Sequence, residues 1–126
     1  MQVPDQGGPA STVMTERKSF RVVVFRGQRH WVAQCLEIDL AAQAERLEDL
    51  PERLARTFAA EVELARERGV DPFLGLPQAP ARYWAMWRGS EPVQEEAAPW
   101  ERFAGLMERL AGLLIEPHVA TASAVV

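Results

Sequence analysis

Apolar residues recur at every second position in two stretches near the start of the sequence, residues 20–26 (FRVVVFR) and 30–39 (HWVAQCLEID). A period of two places alternate side chains on opposite faces of a sheet, so both stretches are predicted to be strands. Gly27 and Gln28 mark a turn between them, which predicts an antiparallel hairpin. Residues 40–44 (LAAQA) are predicted to add a short third strand. The pattern therefore predicts a three-stranded antiparallel meander sheet.

The second predicted strand has two unlike faces. One face carries Val32, Leu36 and Ile38 and is expected to pack beneath a helix. The other face is half apolar and ends in two carboxylates; its residues are Trp31, Ala33, Cys35, Glu37 and Asp39. We expect this second face to be partly exposed to water or to meet a partner.

Beyond residue 44 the apolar period lengthens to three or four, which predicts an amphipathic helix that covers the sheet. Its apolar stripe consists of Leu50, Leu54, Phe58, Val62 and Ala65. Pro51 is tolerated only in a first turn, so the helix is expected to begin near Glu48 or Asp49. Asp49 and Glu52 fit a capping box, and Gly69 is placed to end the helix.

The sequence after this helix is less regular. Residues 70–80 carry three prolines and predict an extended loop. Tyr83, Trp84 and Trp87 have helical spacing, which predicts one or two turns that dock aromatic rings on the core. The same cluster is also compatible with a platform that stacks a ligand or a base. Residues 90–98 are predicted to be an acidic linker.

Residues 99–116 are predicted to form a second long helix, which begins with Pro99 and is expected to end at Pro117. Its apolar face is wide and consists of Phe103, Leu106, Met107, Leu110, Leu113 and Leu114. Such a face must be buried on this domain or across a homo-oligomer. In a homo-oligomer, the contact would be made by Phe103, Leu106, Met107, Leu110 and Leu114.

The chain is thus expected to be an α+β protein, with the sheet packed by one helix and followed by the Pro-rich loop and the C-terminal helix. Its predicted parts are a disordered leader (1–17), an α+β domain (18–89), a linker (90–98), a C-terminal helix (99–116) and a tail (117–126). Apolar content of 48% and charged content of 25% are ordinary for a globular protein. No apolar run approaches a membrane span.

Charge and cysteine content narrow the functional classes. The net charge of −4 argues against DNA binding, although Arg21, Arg26 and Arg29 leave open an RNA-binding module. Cys35 is the single cysteine, so no internal disulfide forms, which fits a reducing cytoplasm.

No catalytic pattern is apparent in the sequence. Glu37 and Asp39 alone do not supply a two-metal site, because the first strand carries no acid. His30 and His118 have no neighbouring triad or zinc pattern and are read as surface residues. No phosphate-binding loop occurs. We therefore expect no enzyme activity, no metal and no cofactor.

Residues 20–54 resemble the N-terminal domain of the HicB antitoxin family, and the resemblance covers roughly Phe20 to Gly69. The matching pieces are Trp31-Val32-Ala33, Leu36 to Asp39, Gln43 and Leu47-Glu48. The resemblance implies a truncated RNase H-like sheet without nuclease acids, and a protein that neutralises a small RNA-cleaving toxin. Arg46 and Pro51 depart from the family's entry to the helix, and the family's C-terminal DNA-binding segment is not apparent.

Two functions follow from these observations. In the first, a HicB-like antitoxin or interaction module presents Trp31, Glu37 and Asp39 to a small basic toxin protein. Lysine at both acids is then expected to abolish partner binding with little change in melting temperature. In the second, the chain is a non-catalytic, self-assembling structural or regulatory protein that has the same fold and no toxin partner.

Overall fold

A computed structural model describes residues 18–93 and 97–120, and within them five strands and three helices form an α+β structure. The strands are β1 (Lys18–Arg26), β2 (Trp31–Cys35), β3 (Ala41–Ala44), β4 (Ser90–Pro92) and β5 (Leu113–Ala120). The helices are α1 (Leu50–Arg68), preceded by a 3-10 turn (Leu47–Asp49), α2 (Ala81–Arg88) and α3 (Ala97–Ala111). The predicted leader, 1–17, lies outside the described residues.

The strands form one mixed sheet in the order β3-β2-β1-β5-β4. The predicted antiparallel meander of β1, β2 and β3 is confirmed. A sheet limited to those three strands is wrong, however, because β5 pairs in parallel with β1 and β4 pairs in antiparallel fashion with β5. Two segments interpreted as linker and tail therefore contribute strands to the sheet.

The last strand was not predicted, because Pro117 was read as the end of a helix. Gly112 adopts a left-handed conformation (φ 67°) and follows the last residue of α3, Ala111, so the helix ends five residues before its predicted end at Glu116. Pro117 itself lies within β5, where proline is normally confined to strands with an open side. β4 pairs with His118 to Ala120, so only the end of β5 beyond Pro117 has a partner strand on both sides.

The main core lies between one face of the sheet and helices α1 and α3. The predicted stripe of α1 is confirmed, since all of its members are buried: Leu50, Leu54, Phe58, Val62 and Ala65. Gly69 is left-handed (φ 69°) and ends α1 as predicted. The capping box is wrong, because the Asp49 side chain makes no cap hydrogen bond. The 3-10 turn precedes the helix there instead.

A second, smaller core lies on the opposite face, beneath α2. It is formed by Val23, Phe25, Leu36 and Ala79, against which the aromatic rings of α2 pack. Tyr83 stacks on Phe25 with ring centroids 5.8 Å apart. The expectation that the aromatic segment forms a short helix docked on the core is therefore confirmed.

The two faces of β2 are correspondingly reassigned. Ala33 and Cys35 are fully buried in the main core, so the prediction that their face is partly exposed is wrong. β2 also ends at Cys35, four residues before the predicted end of the strand. Leu36 continues the alternation and lies in the smaller core with Val32, whereas Ile38, beyond the end of the strand, lies in the main core.

Candidate protein-interaction surface

The segment between β2 and β3, residues 36–40, carries both acids that the sequence assigned to partner binding. Because β2 ends at Cys35, Glu37 and Asp39 are not on a strand and do not share a face with Trp31. The structure places the side chains of Trp31, Glu37 and Asp39 in three different environments.

Glu37 is bound to β1. Its Oε1 accepts a hydrogen bond from the backbone N–H of Arg21 at 2.7 Å, and its Oε2 accepts one from Arg21 Nη1 at 2.8 Å. The Glu37 side chain is 23% exposed. The Arg21 guanidinium lies over the rings of Trp84, at 5.5 Å from the centroid, and Trp87, at 6.0 Å. Both carboxylate oxygens are thus engaged within the chain, and Glu37 fastens the 36–40 segment to β1.

This geometry changes the expected effect of replacing Glu37. In Glu37→Lys both hydrogen bonds to Arg21 are lost and two like charges come together, which we expect to cost about 1–2 kcal/mol of unfolding free energy. The melting temperature, measured by circular dichroism, should fall by several degrees. Glu67→Lys, at an exposed position on α1, is the matched control and should leave it nearly unchanged. Equal melting temperatures for the two variants would contradict the structural role.

Asp39 is the acid that faces the solvent. Its side chain is exposed, and its Oδ1 accepts a hydrogen bond from Gln34 Nε2 at 2.9 Å. Its backbone N–H donates to the carbonyl oxygen of Pro77 at 2.7 Å. The carboxylate is therefore held in one place while remaining accessible to a partner.

Trp31 lies at the other end of β2 from this segment. The four residue steps from Trp31 to Cys35 span roughly 13 Å at the usual rise of a strand. The Trp31 ring is half-buried against the main core, and the Arg26 guanidinium lies 5.9 Å from its centroid. The structure therefore does not bring Trp31 together with Glu37 or Asp39.

A tight cluster of polar and aromatic groups joins α2 to β4 and β5. The rings of Trp87 and His118 are stacked with centroids 3.7 Å apart. His118 Nδ1 lies 2.8 Å from Ser90 Oγ, and its Nε2 lies 3.4 Å from Glu116 Oε2. The interpretation of His118 as a surface residue of a tail is wrong, because its side chain is 13% exposed within β5.

The contacts of His118 with Ser90 and Glu116 have the same residue types as a hydrolase triad. In a triad the histidine accepts the hydroxyl proton of the serine nucleophile. Here Ser90 Oγ donates its proton to the carbonyl oxygen of Trp87 at 2.6 Å, so the hydroxyl is left to accept from His118 Nδ1. This arrangement holds the end of α2 against β5 and does not activate Ser90.

Part of the predicted apolar face of the C-terminal helix packs against its own chain. Phe103 and Met107 are buried in the main core, and Leu106 packs against it. Leu114 is 43% exposed, but it lies on β5 rather than on the helix. The Leu110 side chain lies outside the described residues. Phe103 and Met107 are therefore buried on the domain itself, and pairing across a homo-oligomer stays a prediction.

The three arginines of the candidate RNA surface are also separated. Arg21 is bound to Glu37 near α2, whereas Arg26 lies over Trp31 against the main core. Arg29 is exposed at the tip of the hairpin. No continuous basic strip joins them within the described residues.

Cys35 is fully buried in the main core, and burial raises the pKa of its thiol to about 12. Since the thiolate is the reactive form, we expect no labelling by a disulfide reagent at pH 8 while the chain is folded, and rapid labelling in denaturant. The raised pKa also makes stability depend on pH. The stability that comes from burying the protonated thiol is fully present below about pH 9 and is lost as the pH rises towards 12. Rapid labelling of the folded chain would contradict this burial.

The described residues contain no group of three or more His, Cys, Asp or Glu side chains placed to hold a metal ion. None of their helices combines the length and the apolar character needed to cross a membrane.

No family model matches this chain, and no curated protein or solved structure matches it either.

Proposed function

We propose that this chain is a HicB-like antitoxin, a non-catalytic interaction module that binds and neutralises a small, basic, RNA-cleaving toxin. The observation that carries the proposal is the order of the elements. An antiparallel meander of three strands followed by a covering helix agrees with the truncated RNase H-like sheet that the sequence resemblance implies. The resemblance covers roughly residues 20–69, which hold nearly all of the meander and the whole of α1.

The contact with the toxin is assigned to the 36–40 segment. Asp39 supplies an exposed carboxylate that Gln34 holds in position. Negative charge at this point accelerates association with a basic partner and fixes its orientation. Glu37 contributes indirectly, because its bonds to Arg21 hold the segment against β1. Trp31, at the far end of β2, belongs to the contact only if the toxin spans the length of that strand.

The proposal is tested by capturing the partner and measuring what the chain does to it. The tagged chain is expressed in its native host, captured, and its partners are identified by mass spectrometry. A recovered small basic protein is then purified and its cleavage of RNA is measured with and without the chain. We expect stoichiometric inhibition by the wild type and an inhibition constant at least about tenfold weaker for Asp39→Lys.

Glu67→Lys is the matched control, since it makes the same charge change at an exposed position on α1. It should inhibit as well as the wild type does. Recovery of the chain by itself, or of a protein that does not cleave RNA, would refute the antitoxin function. Equal inhibition by Asp39→Lys and the wild type would refute the assignment of the contact to Asp39.

A further inference from the structure

β3 is an edge strand, and the backbone register shows which of its groups point outwards. Cys35 N–H donates to the carbonyl oxygen of Leu40, so this pair belongs to the hydrogen-bonded kind. Such pairs recur at every second residue of an antiparallel ladder. Ala42 and Ala44 therefore bond to β2, opposite Ala33 and Trp31. The remaining residues of β3 direct their N–H and C=O groups away from the sheet.

Those remaining residues are Ala41 and Gln43, and both are exposed. Among the described residues, Arg53 Nη1 approaches the Gln43 carbonyl oxygen, at a long distance of 3.5 Å. β3 carries no proline or charge, which are the usual means of blocking an edge. The opposite edge differs, because β4 has three residues and includes Pro92. One edge of the sheet is thus protected and the other remains open.

A groove of about 450 Å³ adjoins the open edge on the face that α2 partly covers. Its lining includes Phe25, Val32 and Tyr83 as well as the edge residues Ala41 and Gln43. These side chains give the groove an apolar floor that runs from the sheet to the unpaired strand edge.

Gln34, which also lines the groove, is 4% exposed. Its Nε2 donates to the carbonyl oxygen of Cys35 and to Asp39 Oδ1, both at 2.9 Å. Because these neighbours are acceptors, the orientation of the amide is fixed. All the side-chain hydrogen bonds of Gln34 among the described residues are donated by Nε2, so its Oε1 has no donor there. A buried acceptor of this kind is satisfied when a bound molecule supplies an N–H or O–H.

The charge of the groove selects the partner. Its ionisable lining residues at the hairpin tip are Arg29 and His30, and Arg82 lies 4.6 Å over the ring of Tyr83. No acid lines the groove among the described residues. Glu45 lies beyond the end of β3, in a neighbouring depression that Arg46 and Arg53 share with it. The hairpin end of the groove therefore favours negatively charged side chains, whereas the Asp39 carboxylate adjoins the other end, 2.9 Å from Gln34 Nε2.

We propose that the β3 edge and this groove bind an extended, acidic segment of a partner protein. The segment adds as a sixth strand, with main-chain hydrogen bonds to Ala41 and Gln43. Alternate side chains of the segment lie over the groove, with carboxylates directed to Arg29 and a donor side chain directed to Gln34. This surface adjoins the proposed toxin contact at Gln34, but the basic toxin has the opposite charge, so the proposal does not rest on the antitoxin function.

The probe is a fluorescein-labelled nonapeptide of alternating Asp and Val, with Ser replacing the central Asp. Two control peptides carry Lys in place of Asp, or N-methylated amides that cannot join a strand edge. Binding to the full chain is measured by fluorescence anisotropy, and contacts are located by amide chemical shifts. We expect the acidic peptide to bind at least tenfold more tightly than either control. Shifts should concentrate on residues 41–44 and Gln34.

Two variants test the site separately from folding. Ala41→Pro removes an outward N–H at the first residue of an edge strand, where proline is tolerated. Arg29→Glu reverses the charge at the exposed hairpin tip. Each should weaken binding at least tenfold without loss of the folded spectrum, whereas Arg68→Glu, an exposed control on α1, should bind as the wild type does.

Three results would overturn the proposal. Absence of binding at millimolar peptide would exclude the site, and equal binding of the acidic and Lys peptides would exclude the charge selection. A dimer of the chain that Ala41→Pro converts to a monomer would identify a second copy as the occupant of the edge. Inhibition of a captured toxin is measured independently, so none of these results decides the antitoxin function.

Discussion

A chain that stops at Gly112 is expected to lose its folded structure entirely. Such a truncation removes β5, which lies between β1 and β4 in the sheet. It exposes the edge of β1, whose residues Phe20, Val22, Val23 and Val24 are all buried. It also removes His118, against which Trp87 stacks. Losing an internal strand exposes far more apolar surface than a net stability of about 5–15 kcal/mol can offset.

Thermal and urea unfolding followed by circular dichroism check this expectation. The truncated chain should show no cooperative transition, and its amide proton spectrum should collapse to the narrow range of an unfolded chain. A chain that ends at Ala120 keeps all of β5 and is the matched control, which should unfold cooperatively. A cooperative transition in the chain ending at Gly112 would show that β5 is dispensable. The sequence-based interpretation of residues 117–126 as a tail predicts that dispensability.

Phe58→Ala is expected to be the most damaging single substitution in α1. The Phe58 side chain is fully buried, and its ring contacts Phe20, Phe73 and Phe103 at centroid distances of 6.1, 5.5 and 5.8 Å. It thereby joins β1, the Pro-rich loop and α3 at one point. Truncation of a buried phenylalanine to alanine costs about 3–5 kcal/mol, because the lost burial is added to the cavity left behind.

Urea unfolding of the variant measures this cost through the shift in midpoint at constant slope. Leu64→Ala is the control, since Leu64 lies on the same helix with 38% of its surface exposed. It should cost less than about 1 kcal/mol. Losses of similar size for the two variants would contradict the central place of Phe58 in the core.

Local patterns were sufficient for the first half of the chain. The period of two in β1 and the period of three to four in α1 each report burial on one side, and Gly69 marked the end of the helix correctly. These features depend on residues close together in sequence. The hairpin of β1 and β2 and the short strand β3 are likewise formed between neighbouring segments.

The second half was misread because its structure depends on distant partners. β5 pairs with β1 across 95 positions, as shown by Lys18 opposite Leu113, and nothing in the pattern LLIEPHVA announces that pairing. Pro117 pointed to a helix end, although the actual end is the left-handed Gly112.

The candidate site was affected in the same way. Alternation suggested that Glu37 and Trp31 share a face with Asp39, but β2 stops at Cys35. The bond between Glu37 and Arg21 joins two segments whose spacing carries no signal. Gln34, which lines the groove beside β3, was not singled out in the sequence. The signal that could have found it is its position as a polar residue between apolar neighbours in β2.

The parallel pairing of β1 with β5 has a consequence for how the chain folds as it is synthesised. β1 is among the first described segments to leave the ribosome, and its partner follows 95 residues later. At elongation rates of about 5–20 residues per second, the apolar edge of β1 waits roughly 5–20 seconds for β5. During that interval it is open to pairing with other nascent chains. Slowing synthesis should therefore increase aggregation of this chain. Aggregation of chains whose early strands pair only with neighbouring segments should change little.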